Sequence, residues 1–347
     1  MTRSVNINAF LNTIRNSVRS LPIVILYVTE GCNLRCLTCS YRDPLPDELT
    51  LDEIGTLAQF LSDFGLKQVV YSGGEPLMRR DFPRICEIFG ALNIKQTLLT
   101  NGVLLAKRYE ELNRNLGEII VSLDGATRET HNAIRGVDSF DQILKGIRKV
   151  VGDVCKPRLS IRTVIQKSNF REMEAVIRMA MDLGVDSVSF LAADVLSQSF
   201  GRKTRGYVVA NEEIMLSTSE TDEFRTMIRN ITAYFANEIK RGFIAESPEK
   251  LLHLVEYFEG LNGRAPFPRN DCNAPMVSLV ITANGNVQPC FFLPSFGNIR
   301  GNQINAIANF PEIQTTRKDV REYSLERCRT CVCTLKVSPL AALLNKI

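Results

Sequence analysis

Six strand-like runs alternating with amphipathic helical segments between residues 23 and 191 predict an α/β fold around a parallel sheet, most economically an open (βα)6 barrel. Three observations carry this. The runs are rich in β-branched residues, each is followed by a segment of helical period, and the connections are only a few residues long. A chain of 347 residues, 45% hydrophobic and 23% charged, is long enough for such a unit plus a small appended domain. The same composition excludes a disordered chain, a collagen-like repeat and a small disulfide scaffold. A net charge of +4, from 42 basic against 38 acidic residues, gives no broad electropositive face, so nucleic acid is not an expected partner.

The elements follow in order. Residues 1–21 read as an amphipathic helix, with Val5, Phe10, Leu11, Ile14 and Val18 on one side and Arg3, Arg15 and Arg19 as its only charges. Packing against the barrel is the preferred reading, and membrane-surface contact is the alternative. The first strand, 23–29, empties into a cysteine-rich loop at 30–43. Helix 51–64 leads to strand 68–72, helix 82–92 to strand 95–99, and helix 105–115 to strand 118–123. Helix 140–151 leads to strand 158–165, and helix 170–183 to strand 186–191. Residues 22–193 are the expected barrel. Residues 194–265 hold a polar, lid-like loop (194–219) and helices near 221–241 and 248–258. Residues 266–347 change texture, to a hairpin of 277–282 and 286–291 around Asn284-Gly285, followed by a cysteine-dense tail.

Ten cysteines, two histidines and no tryptophan mean that a metal site here must be built largely from thiolate. No apolar run approaches the roughly 20 residues of a membrane span and no signal peptide is evident, so a cytoplasmic, reducing compartment is expected. Cys32, Cys36 and Cys39 fall within eight residues, without a fourth ligand beside them. Three thiolates on an iron–sulfur cube leave one iron open to an exogenous ligand. A structural zinc site with a distant fourth ligand, or incidental thiols, are the alternatives. Farther along, Cys272 precedes the hairpin and Cys290 closes its Gly285-x4-Cys290 segment, and Cys328-Arg329-Thr330-Cys331 forms a C-x2-C knuckle. Together these make a four-thiolate site that suits iron–sulfur or zinc equally on ligand chemistry. Cys333 is left over, as an alternative ligand, a substrate-side thiol or an inert residue. Cys86 and Cys155 read as bystanders.

The C-x3-C-x2-C loop after the first strand resembles the signature of the radical S-adenosylmethionine (SAM) enzymes, which fold as partial (βα)6 barrels. The resemblance implies that Cys32, Cys36 and Cys39 hold a SAM-binding [4Fe–4S] cluster whose electron cleaves SAM to methionine and a 5′-deoxyadenosyl radical. The aromatic residue usual before the third cysteine is Thr38 here, with Tyr41 a nearby substitute. By the same resemblance Gly73, Gly74 and Glu75 hold the SAM amino group, the carboxylate suiting an ammonium at the mouth. Asn101, Ser122, Asp124 and Arg162 become SAM or substrate contacts; Thr100 is as well explained by turn chemistry. His131 and Arg135 read mainly as organising the fold. Each polar motif follows a strand, the mouth where βα barrels build active sites.

The C-terminal cysteines resemble the SPASM and Twitch extensions of that family. Their count fits the shorter Twitch type, with Cys272, Cys290, Cys328 and Cys331 on one auxiliary [4Fe–4S] cluster. The resemblance further implies a flavodoxin- or ferredoxin-type electron donor and an oxidoreductase. A small biosynthetic substrate such as a sugar or nucleoside is preferred, with peptide maturation or tetrapyrrole side-chain chemistry as alternatives. A non-catalytic zinc or iron–sulfur scaffold is the reading from another functional class. Cys333, Asp194 and Arg205 are the candidates for catalytic groups.

Overall fold

The computed structural model describes residues 11–12, 15–112, 115–202 and 211–337. Six parallel strands run in sequence order across one sheet: β1 (Ile23–Thr29), β2 (Gln68–Gly73), β3 (Lys95–Thr100), β4 (Leu116–Ser122), β5 (Arg158–Ile165) and β6 (Ser187–Ala192). Every residue of β1 is buried, as expected of a parallel strand covered on both faces. Helices α1 (Leu51–Asp63), α2 (Phe82–Ala91), α3 (Leu105–Arg108), α4 (Arg128–Arg135), α5 (Phe140–Val151) and α6 (Met173–Leu183) connect these strands. Helix α1 starts at a capping box, in which Thr50 and Glu53 satisfy each other's backbone N–H, and it buries Ile54, Leu57, Ala58 and Leu61.

The expected hairpin is present as β7 (Ser278–Ile281) and β8 (Asn286–Gln288), extended by β9 (Gly297–Asn298). It does not stand apart. Strand β7 pairs in parallel with β1, Ile23 opposite Ser278 through Leu26 opposite Ile281, so the sheet order is β6-β5-β4-β3-β2-β1-β7-β8-β9. The loop after β1 carries three cysteines; the loop after β7, residues 282–285, carries none, and Cys290 lies two residues beyond β8, which runs antiparallel to β7.

Several boundaries differ from the sequence reading. The segment expected as one helix at 105–115 is the short α3 followed by a tighter turn at Tyr109–Leu112. Helix α7 (Thr218–Tyr234) begins earlier than expected because Ser217 and Glu220 form a capping box. Helix α8 (Pro248–Leu261) follows. The eight-residue α4 was not anticipated as a helix; Thr127 caps its start and Gly136, at φ 69°, ends it. Of the N-terminal helix, Leu11 and Asn12 are helical and the chain bends from Arg15 onward, while Arg3, Val5, Phe10 and Ile14 lie outside the described residues. Among the described residues no helix is long and apolar enough to cross a membrane.

Two glycines at the end of β2 are demanded by packing. Gly73 has φ 109°, and a Cβ there would overlap the Thr29 carbonyl oxygen. A Cβ on Gly74 would lie 2.6 Å from the Glu30 carbonyl oxygen, and the Gly31 carbonyl is closer still. Both obstacles are backbone, so neither can swing aside. Gly74→Ala is expected to destabilise the apo-protein by about 2 kcal/mol, read as a lower thermal midpoint. Gly55→Ala, inside α1 with only Ile88 at 3.9 Å, is the control and should be neutral or stabilising.

Candidate active site

The loop after β1 brings Cys32, Cys36 and Cys39 together as half-buried free thiols. Backbone bonds fix its shape: Cys32 N donates to the Arg42 carbonyl at 2.9 Å and Cys39 N to that of Cys36 at 3.3 Å. Two side chains direct donors at the sulfurs. Asn101 Nδ2 lies 3.9 Å from Cys32 Sγ and Arg135 Nη1 lies 3.8 Å from Cys36 Sγ. Burial pushes the Cys39 thiol up to about 11 and raises Cys32 as well. Bound iron is the kind of charge that offsets such desolvation and keeps a buried sulfur ionised.

Glu75 stands at the end of β2 with its side chain turned inward. One carboxylate oxygen accepts from Leu77 N at 3.0 Å and Thr100 Oγ1 at 2.8 Å, and the other from Asn101 N at 2.7 Å. It is fully buried, and burial raises its pKa to about 7 despite these donors. Through these bonds Glu75 ties the ends of β2 and β3 together. Thr100 is spent in the same bond. Asn101 stays at the mouth, donating to Asn33 Oδ1 at 2.8 Å beside Cys32.

Ser122 ends β4 and lies opposite Arg162 in the register with β5. Asp124, two residues on, is buried and already engaged. Oδ1 accepts from Val164 N at 2.8 Å and Oδ2 forms an internal ion pair with Arg135 Nη2 at 2.7 Å. His131 is buried beneath it, and burial followed by Arg135 pushes its pKa down to about 3. The neutral ring's Nδ1 accepts from Asp124 N at 3.2 Å. Arg162 Nε donates to Ser189 Oγ at 3.1 Å, across β5 and β6.

The second cysteine group comes from the β7–β8 hairpin and the tail. Cys272, Cys290, Cys328, Cys331 and Cys333 are all free and half-buried. Burial, then the neighbouring Cys272 and Cys328, push Cys290 up to about 12. Backbone amides already face sulfur: Ala274 N lies 3.5 Å from Cys272 Sγ, and Cys333 N lies 3.4 Å from Cys331 Sγ. Burial also pushes Cys333 up to about 11, against the pull of Arg162, which places this thiol on the barrel side of the group. Among the described residues, no three His, Cys, Asp or Glu side chains are gathered closely enough to grip a single ion. The thiols nonetheless act on one another, Cys36 and Cys32 adding to burial in raising the pKa of Cys39, and Cys272 and Cys328 in raising that of Cys290, and all-cysteine groups of this kind fit an iron–sulfur cluster.

Two contacts join the groups. Tyr27 on β1 is buried, and both Cys39 and Cys290 help burial and Tyr41 to raise its pKa. Its ring meets Tyr41 edge-on at 6.1 Å and stacks with Phe291 at 6.2 Å. The second is Asp194, after β6, which pairs with Arg327 Nη2 at 2.7 Å and also binds Arg202 and Ser197. Burial alone would raise its pKa, but Arg327, Ser197 and Arg202 outweigh it and hold the carboxyl below its ordinary value. Asp194 is thus a paired anion that docks the knuckle beside the end of β6. Arg205 lies outside the described residues. Between the loop after β1, residues 198–201 and the hairpin lies a cleft of about 700 Å³, lined among others by Tyr27, Tyr41, Phe200, Asn286 and Phe291. Sequence reasoning missed Tyr27 and Arg327; an arginine next to the C-x2-C knuckle was the only signal for the latter.

Among solved structures the fold is similar to that of Streptococcus suis SuiB bound to S-adenosylmethionine, with a TM-score of 0.65 and 17% identity over 94% of this chain and 77% of that one. SuiB bound to its precursor peptide SuiA gives a TM-score of 0.63 at 17% identity, over 93% and 75%. By sequence the chain is 29% identical to a probable GTP 3′,8-cyclase of Metallosphaera sedula, over 56% of this chain and 62% of the relative. It is also 29% identical to an Fe-coproporphyrin III synthase of Methanosarcina barkeri, over 57% of this chain and 49% of that protein. The chain thus spans less than two thirds of either relative's length. The Radical SAM superfamily profile matches residues 26–180, and the SPASM profile, an iron–sulfur cluster-binding domain, matches residues 272–332. Such domains imply SAM, a SAM-binding [4Fe–4S] cluster and an auxiliary [4Fe–4S] cluster. With both profiles in order and together covering more than half of its length, this chain belongs to the radical SAM superfamily of enzymes and carries a C-terminal SPASM-type cluster domain.

Proposed function

We propose that this protein abstracts a hydrogen atom from a small biosynthetic substrate and completes an oxidative modification with the help of an auxiliary cluster. The pairing of β7 with β1 carries this reading: it lays the hairpin that leads to Cys290 beside the strand that leads to Cys32, and Tyr27 on β1 lies near enough to Cys39 and Cys290 for both to act on it. When bound, the two clusters and SAM supply the radical and an electron acceptor. The chain's own residues do the rest. Cys32, Cys36 and Cys39 present three ligands and leave the fourth position open; Cys272, Cys290, Cys328 and Cys331 are the ligands assigned to the auxiliary site. Gly73 and Gly74 bring the end of β2 against the cluster loop, leaving backbone at the mouth. Asn101, Ser122 and Arg162 remain the polar side chains placed to orient SAM or substrate, and Asp194 with Arg327 holds the knuckle over the barrel.

A small substrate is supported by the size of the cleft, within the range usual for metabolite pockets. It is also supported by the nucleotide and tetrapyrrole activities named for the two sequence relatives. Peptide maturation is the second reading, supported by the fold likeness to SuiB with its precursor peptide. The test is anaerobic. Reconstituted protein with dithionite and SAM should release 5′-deoxyadenosine, faster on adding heat-treated cell extract, and the stimulation should survive protease digestion of that extract. Loss of the stimulation on digestion would establish the peptide reading. Stoichiometric zinc without SAM cleavage would overturn the function altogether.

A further inference from the structure

Arg135 makes contacts that its place in the fold does not require. It is the last residue of α4, and its side chain is only 13% exposed. The helix end docks on the cysteine loop through backbone: Arg35 N donates to the Arg135 carbonyl at 3.0 Å, and Leu37 N to that of Ile134 at 3.2 Å. The fit is close, since a Cβ on Gly136 would lie 2.8 Å from Arg35 Cβ. From this anchor the guanidinium reaches between a carboxylate and a cysteine sulfur, Nη2 to Asp124 Oδ2 at 2.7 Å and Nη1 to Cys36 Sγ at 3.8 Å. Its Nε is buried with no hydrogen-bond partner among the described residues.

We infer that Arg135 is a positioning residue for the first cysteine group, fixing Cys36 through α4 and placing a buried positive charge beside its sulfur so that the cluster there is easier to reduce. This rests on the reading of Cys32, Cys36 and Cys39 as cluster ligands. Reduction adds one negative charge to the cluster, so a nearby cation in a low-dielectric setting favours the reduced form and raises the reduction potential. Asp124 lies on the far side of the guanidinium and opposes it. The two residues should therefore act with opposite sign.

The test is an anaerobic, EPR-monitored redox titration of the reconstituted full chain, following the signal that changes on adding SAM, with iron content measured in parallel. Arg135→Gln is expected to lower the potential of that signal, Asp124→Asn to raise it, and Arg135→Lys to stay nearest the parent while retaining less iron, because lysine cannot bridge both partners. A purely structural role would lower iron content without moving the potential of what remains, or would move it in the same direction for both charge variants; either result overturns the inference. Should Arg135→Gln hold no iron, the sign of the Asp124→Asn shift decides alone. Absence of any SAM-responsive signal in the parent would instead sink the underlying cluster assignment.

Discussion

Replacing Cys32, Cys36 and Cys39 together by alanine is expected to abolish reductive SAM cleavage, a loss of more than about a thousandfold in 5′-deoxyadenosine formation. Iron in the reconstituted protein should fall from about eight atoms to about four, since only the auxiliary set remains. The fold should survive. The three side chains are half-buried, and the loop is held by backbone bonds from Cys32 to Arg42, Arg35 to Arg135 and Leu37 to Ile134, none of which uses a thiol. Anaerobic iron analysis and chromatographic assay of 5′-deoxyadenosine check this. A triple variant that still cleaved SAM would exclude the loop as the site of the chemistry.

The double variant Cys290→Ser, Cys331→Ser is expected to lose product formation entirely and to retain about four iron atoms. The signal that responds to SAM should remain visible by EPR. Separation of the two losses follows from the architecture. The groups sit on different strands, β1 and the β7–β8 hairpin, and meet through Tyr27 and the Asp194–Arg327 pair without sharing a cysteine. Loss of the SAM-responsive signal together with product would mean that the two sites are one, and the four-to-three division of ligands would fail.

The strand series and both cysteine groups were legible in the sequence because their signals are local. Cys32, Cys36 and Cys39 lie within eight residues, and the hairpin around Asn284-Gly285 needs only its turn. What the sequence could not display are the pairings made by the sheet. Arg135 meets Cys36 across 99 residues and Arg327 meets Asp194 across 133, separations at which no periodicity constrains a partner. The partners of the acidic residues were hidden for a related reason. Glu75 and Asp124 stand in loops where a carboxylate could face a ligand, yet both find donors on neighbouring strand ends that only the folded sheet supplies. Position at the mouth was readable, direction of the side chain was not.

The pairing of β1 with β7 has a consequence for synthesis. Until Ser278–Ile281 has been made, one side of β1 offers unpaired backbone groups on a strand whose side chains are all apolar, Thr29 excepted. The N-terminal four fifths of the chain thus emerges with an adhesive edge, and the hairpin that leads to Cys290 is also what seals it. The strand that protects the nascent sheet from aggregation thus precedes the auxiliary site, which is complete only once Cys328 and Cys331 have followed.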